Sequence, residues 1–120
     1  MTSLTWTVGE VEGAKMKTLA LILADPNPIH FDPAAASGLG TGGRLVNQGP
    51  STIAMIYNLF AAELPGQRVR SLDVRLLGNV LEGDSVTVEA TPAGPSTYEV
   101  VVRTPDGPKA TAVAHLAERA

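Results

Sequence analysis

Apolar and polar positions change rhythm near the middle of the chain, from helical spacing before it to alternation after it. Between Glu12 and Ala24, Leu19, Ala20, Ile22 and Leu23 fall within one short helical pattern, with Lys15 and Lys17 left for solvent. Pro26 and Pro28 stop it. Each lacks an N–H and drives the residue before it out of the helical region, so Ala24, Asp25 and Asn27 are expected to be extended or turn-like. Gly49-Pro50-Ser51-Thr52 then opens a second run, Ile53 to Leu64, that is apolar on nearly every face. Proline suits the first helical position, where its missing N–H has no intrahelical partner anyway, and Pro65-Gly66 ends the run. A helix of this kind is expected to be surrounded by other structure.

The second half supplies that structure. Leu72, Val74 and Leu76 alternate with Ser71, Asp73 and Arg75; Val86, Val88 and Ala90 with Ser85, Thr87 and Glu89; Tyr98, Val100 and Val102 with Glu99, Val101 and Arg103. Glu82-Gly83-Asp84 and Pro105-Asp106-Gly107-Pro108 read as turns, and Lys109 to Leu116 as a last strand. A buried helix followed by an antiparallel meander predicts an α+β fold in which a curved sheet wraps one helix.

At 120 residues the chain is expected to be one domain, residues 1–120. Net charge is −3, and the nine Lys and Arg are scattered, which gives no footprint for nucleic acid or an anionic membrane. Absence of cysteine removes disulfides, thiol nucleophiles and thiolate metal sites, and His30 and His115 are far apart, so no metal is expected. No leader pattern and no bilayer-length apolar run of roughly eighteen residues is present, so a cytoplasmic location is expected. Residues 37–43, Ser-Gly-Leu-Gly-Thr-Gly-Gly, have neither the ending of a P-loop nor dinucleotide-fingerprint spacing, and read as a plain loop. His115 reads as structural or exposed.

The candidate chemistry lies between the two helical runs. Asp25 and His30 sit five residues apart on a proline-stiffened loop. Histidine is the side chain best suited to move a proton at neutral pH, and a carboxylate beside it fixes its tautomer or shares the transfer. Singly, the histidine reads better as a surface or capping residue and the aspartate as an N-cap or turn residue. Their conjunction gains weight from the helix start downstream, where the N–H groups of Gly49, Ser51 and Thr52 surround a positive helix end. Such a donor on a developing oxyanion is commonly worth ~3 kcal/mol.

Asp25-x-Asn27-Pro28-x-His30-x-Asp32, with Gly49 opening a long apolar helix, resembles the motif of MaoC-like, (R)-specific enoyl-thioester hydratases and dehydratases, which have the hot-dog fold. The close resemblance covers roughly residues 12–64. It implies that Asp25 and His30 activate a water and that the Gly49 N–H binds the thioester carbonyl. It implies a substrate carried on coenzyme A or acyl carrier protein, and no separate cofactor. Two departures stand out: Gln48-Gly49 where the family often has His-Gly, and Tyr57 or Asn58 where it has a small polar residue in the helix.

On this reading Asn27 and Asp32 shape the loop, and Asn27, Gln48, Ser51, Ile53, Ile56 and Tyr57 contact substrate, with an acyl slot beside Ile53, Ile56 and Tyr57. Arg44, Arg68 and Arg70 are candidates for the carrier's phosphates. Sheet edge and helix surface left open in such a fold predict a homodimer, with a heterodimer as the variant. The competing readings are a hot-dog thioesterase and a non-catalytic acyl-binding subunit.

Overall fold

The alternation that marks the later strands is also present at the start of the chain, in Leu4, Trp6 and Val8 against Thr5 and Thr7, and it forms a strand there. The computed structural model describes residues 2–24 and 27–119. Its elements are β1 (Leu4–Val8), α1 (Gly13–Ile22), a 3-10 turn (Pro28–His30), α2 (Pro33–Ser37), α3 (Gly49–Glu63), β2 (Gln67–Leu76), β3 (Val86–Gly94), β4 (Thr97–Thr104) and β5 (Gly107–Glu118). The strands make one antiparallel sheet in the order β1-β3-β4-β5-β2, so β1 and β2 are its edges.

Rows of paired residues explain how the sheet receives a helix. Val88 pairs with Val102 and Val102 with Ala110; one row along, Ala90 pairs with Val100 and Val100 with Ala112. All of these are buried. The alanines of β5 leave a trough, because a methyl group projects far less from the sheet than a branched side chain. Met55, Ile56, Leu59 and Phe60 of α3 belong with these sheet residues to one core cluster. Phe60 meets Tyr98 edge-on, with ring centroids 5.5 Å apart. A long helix across a curved sheet is the hot-dog arrangement that the motif implies.

Three expectations need correction. The helix α3 is enclosed on one side only: Ala54, Tyr57, Asn58, Ala61 and Ala62 are exposed, and the run looks uniformly apolar because alanine, cheap to leave in water, occupies much of its outer face. In α1 the buried positions are Met16 and Ala20, whereas Leu21 and Ile22 are 84% and 74% exposed. The first half is also less helical than its pattern suggests, with β1 opening it. No helix among the described residues is long and apolar enough to cross a membrane.

Candidate active site

His30 ends the 3-10 turn, and local chemistry sets that turn. The Asn27 side chain accepts a hydrogen bond from the Ile29 N–H at 3.2 Å, and Pro28 supplies a fixed φ at the first position. Asp32 then accepts from the Ala34 N–H at 2.9 Å and starts α2, with Pro33 at its first position. Asp25 and Pro26 lie outside the described residues. His30 is 7% exposed, and its Nδ1 lies 2.7 Å from the Val46 carbonyl oxygen. A carbonyl only accepts, so Nδ1 carries a proton and donates it to Val46. The backbone repeats the connection, since the Val46 N–H donates to the Ile29 carbonyl at 2.9 Å.

Val46 is itself held from the other side. Residues 44–47 run beside 80–84: the Asn47 N–H donates to the Val80 carbonyl at 2.7 Å, and the Leu45 N–H donates to Glu82 Oε1 at 3.1 Å. Arg44 donates from Nη2 to Asp84 Oδ1 at 2.5 Å and from Nε to the Glu82 carbonyl at 2.9 Å. This arginine is a clamp within the fold rather than a free phosphate ligand. Gly13 belongs to the same region, since a Cβ there would fall 2.1 Å from Glu82 Oε2.

The start of α3 follows directly. Gln48 is the N-cap, Pro50 has no N–H, and the Thr52 N–H donates to the Gln48 carbonyl at 3.1 Å as the first intrahelical bond. Of the three N–H groups expected to be available, Thr52's is therefore used by the helix, and those of Gly49 and Ser51 remain at its positive end. Gly49 approaches the end of β2 closely: a Cβ on it would meet Leu76 Cδ1 at 3.2 Å.

His30 and Gly49 line one cavity of about 340 Å³, whose other walls are Ile29, Val46, Asn47, Thr52 and residues 76–80. Its mouth carries Leu76 and Leu77, each about half exposed. Asn47 was not singled out in sequence, and Thr52 only for its backbone N–H, although its side chain stands one helical turn from Gly49 on the same face. Both are buried, and Asn47 Nδ2 donates to Thr52 Oγ1 at 2.9 Å.

The other expected site residues are dispersed. Ile56 is wholly buried in the core, Ile53 is half-buried, and Tyr57 is 47% exposed; none of the three lines the His30 cavity. Gln48 and Ser51 instead face a separate groove on the α1 side of the helix start. Arg68 and Arg70 are exposed on β2, the nearer of them six residues from Leu76, about 20 Å at the usual strand rise. His115 lies half-buried on β5 with Nδ1 3.2 Å from Thr97 Oγ1. Among the described residues no three His, Asp or Glu side chains converge as a metal site would require.

The model of the MaoC like domain matches residues 3–110. No curated protein matches the chain. Among solved structures, the (R)-hydratase from A. caviae involved in PHA biosynthesis superposes with a TM-score of 0.82 at 22% identity, over 98% of this chain and 95% of that one. R-hydratase PhaJ1 from Pseudomonas aeruginosa gives 0.81 at 21% identity, over 98% and 79%. The ChsH1-ChsH2 complex from Mycobacterium tuberculosis gives 0.80 at 19% identity, over 98% and 96%. At these identities the likeness is one of fold.

Proposed function

The chain belongs to the MaoC-like hydratase/dehydratase family, and from that premise we propose that it interconverts trans-2-enoyl and 3-hydroxyacyl thioesters by syn addition or loss of water. The observation that supports the reading is the shared cavity, lined by both the buried His30 imidazole and Gly49 at the start of α3.

In the hydration direction the thioester carbonyl accepts from the Gly49 N–H. Water held by Asp25 and His30 gives a proton to one of them while its oxygen bonds to C3, and the C2–C3 π electrons move toward the carbonyl, which gains enolate character. The Gly49 N–H and the helix dipole stabilise charge where it develops, so the interaction is stronger in the transition state than in the ground state. A proton returns from the dyad to C2 on the same face, restoring its starting protonation. Asp25 is the partner proposed to orient the water with His30. The carrier, coenzyme A or acyl carrier protein, enters as part of the substrate, and a second copy of the chain is proposed to cover the outer face of α3 and the β2 edge.

The direct assay is loss of the conjugated enoyl-thioester absorbance of crotonyl-CoA on addition of purified protein. Release of free thiol with the enoyl group intact would instead select thioester hydrolysis.

A further inference from the structure

The His30 cavity is lined by two segments remote in sequence: Val46, Asn47 and Gly49 leading into α3, and residues 76–80 at and beyond the end of β2. Outside the cavity the same two segments run on side by side, and an ion pair joins them there. Asp84 is 7% exposed; its Oδ1 accepts from Arg44 Nη2 at 2.5 Å and its Oδ2 from the Leu81 N–H at 2.9 Å. Arg44 makes a second attachment, from Nε to the Glu82 carbonyl at 2.9 Å, while its side chain remains 42% exposed. Neither residue lines the cavity. Between this pair and His30 the backbone bonds alternate in direction. Leu45 accepts from the Glu82 N–H at 2.8 Å and donates to the Glu82 carboxylate, and Asn47 donates to Val80. Val46, between them, faces the other way and gives its N–H to Ile29 and its carbonyl to His30 Nδ1. One edge of residues 44–47 is therefore held by 80–84, and the other edge carries the His30 turn.

We propose that Arg44 and Asp84 are positioning residues for the reaction at His30: their ion pair fixes residues 44–47 against 80–84 and, through the Val46 carbonyl, fixes the imidazole. The inference rests on the hydratase reading, and adds to it a device that lies outside the cavity. A partly buried ion pair is weak as a stabiliser once desolvation is counted, whereas its directional hydrogen bonds select one arrangement. Arg44 binds a side chain and a main-chain oxygen of the same turn, and two attachments from one planar guanidinium set orientation as well as distance. Asp84 uses both oxygens, one toward each segment, so the turn and the loop are referred to a single carboxylate. A small displacement of 44–47 is passed to His30 because Val46 holds that turn by two hydrogen bonds.

Two readouts on the full chain separate positioning from stability. The chain has two histidines, so the hydrogen-bonded Nδ1–H of His30 is followed by magnetic resonance as a downfield proton signal in protein with isotope-labelled imidazoles, assigned by its loss in His30→Ala. Asp84→Asn keeps an oxygen for the Leu81 N–H and turns an amide donor toward the Arg44 donor, which opens the pair. Arg44→Met removes the guanidinium at a part-exposed position, and decides the matter alone if the buried Asp84 variant does not fold. Each variant is expected to lose the His30 signal to exchange at a temperature where circular dichroism shows it folded. Each is expected to lower kcat for crotonyl-CoA about 10- to 100-fold with KM changed less than about threefold, the pattern of a misplaced group rather than a lost binding contact. The double variant is expected to lose no more than the worse single one, because either substitution opens the same clamp. A His30 signal as sharp in folded Arg44→Met as in the wild type, a kcat that falls only with the folded fraction, or no protected Nδ1–H in the wild type overturns the proposal. A wild type that shows the signal, loses it in Arg44→Met and yet fails to hydrate crotonyl-CoA instead sinks the hydratase reading and leaves the clamp on His30 standing.

Discussion

The imidazole of His30 donates from Nδ1 to the main-chain carbonyl of Val46, 2.7 Å away and sixteen positions further along the chain. Two residues on different loops are thereby locked to one another, and the Val46 loop leads within three residues into the α3 start. The relative placement of the His30 imidazole and the Gly49 N–H, the proposed acid/base group and oxyanion donor, is set by that one short stretch of backbone.

Removing the imidazole isolates its chemical role. His30→Ala is expected to lower kcat for crotonyl-CoA hydration by roughly 10²- to 10⁴-fold, the usual scale for a positioned acid/base group. Steady-state rates measured beside a thermal melt distinguish this from loss of fold. Undiminished turnover in a folded His30→Ala protein would remove the residue from the mechanism.

Gly49 offers a cleaner separation of backbone from side chain. Gly49→Pro deletes the N–H while keeping a residue that the first helical position accepts, and Gln48, with φ −65° and ψ 141°, already has the extended conformation that a following proline requires. Gly49→Ala keeps the N–H, and its methyl group displaces only the half-exposed Leu76 side chain. The proline variant is expected to lose about 10²- to 10³-fold in kcat, the scale of one oxyanion donor, and the alanine variant less than about tenfold. Equal losses in the two would mean that crowding against Leu76, not the N–H, matters.

What could be read in the sequence follows from which physical signals are local. Alternation gave β2 to β5 because each of those strands buries one face, and Pro50 and Gly66 bracketed α3 because both act on their own backbone. The strand β1 has the same alternation in Leu4, Trp6 and Val8, yet five residues with no turn before them are a weak pattern, and the pairing of Trp6 with Val88 that makes them a strand is remote in sequence. The dispersal of Ile53, Ile56 and Tyr57 is a question of helical phase: positions three or four apart share a face, and which face is buried is decided by strands remote in sequence. Arg44 could not be separated from Arg68 and Arg70 in sequence, because Asp84, forty positions away, is what claims it.

The buried pair of Asn47 and Thr52 ties the loop before α3 to its first turn. Thr52→Val removes the acceptor for Asn47 Nδ2 at nearly constant volume and strands a buried amide N–H. Stability is expected to fall by about 1–3 kcal/mol in urea unfolding, with Thr52→Ser recovering most of it. A Thr52→Val protein as stable as the wild type would show that the amide finds another acceptor.

The outer surface of α3 bears on assembly. Ala54, Tyr57, Asn58, Ala61 and Ala62 make a smooth face with one large ring, beside a sheet whose β2 edge pairs only with β5. Small side chains allow close approach of another backbone, and an open edge strand is a surface that proteins ordinarily cover. A second copy related by a twofold axis covers both at once, so the wild type is expected to sediment as a dimer at micromolar concentration. Adding charge at the centre of the face should oppose this without touching the core, because Tyr57 and Ala61 are exposed within one chain. Tyr57→Arg combined with Ala61→Arg is expected to shift the sedimentation coefficient to that of a monomer while leaving the far-ultraviolet circular dichroism unchanged. A wild type that sediments as a monomer, or a dimer indifferent to both arginines, would place the interface elsewhere.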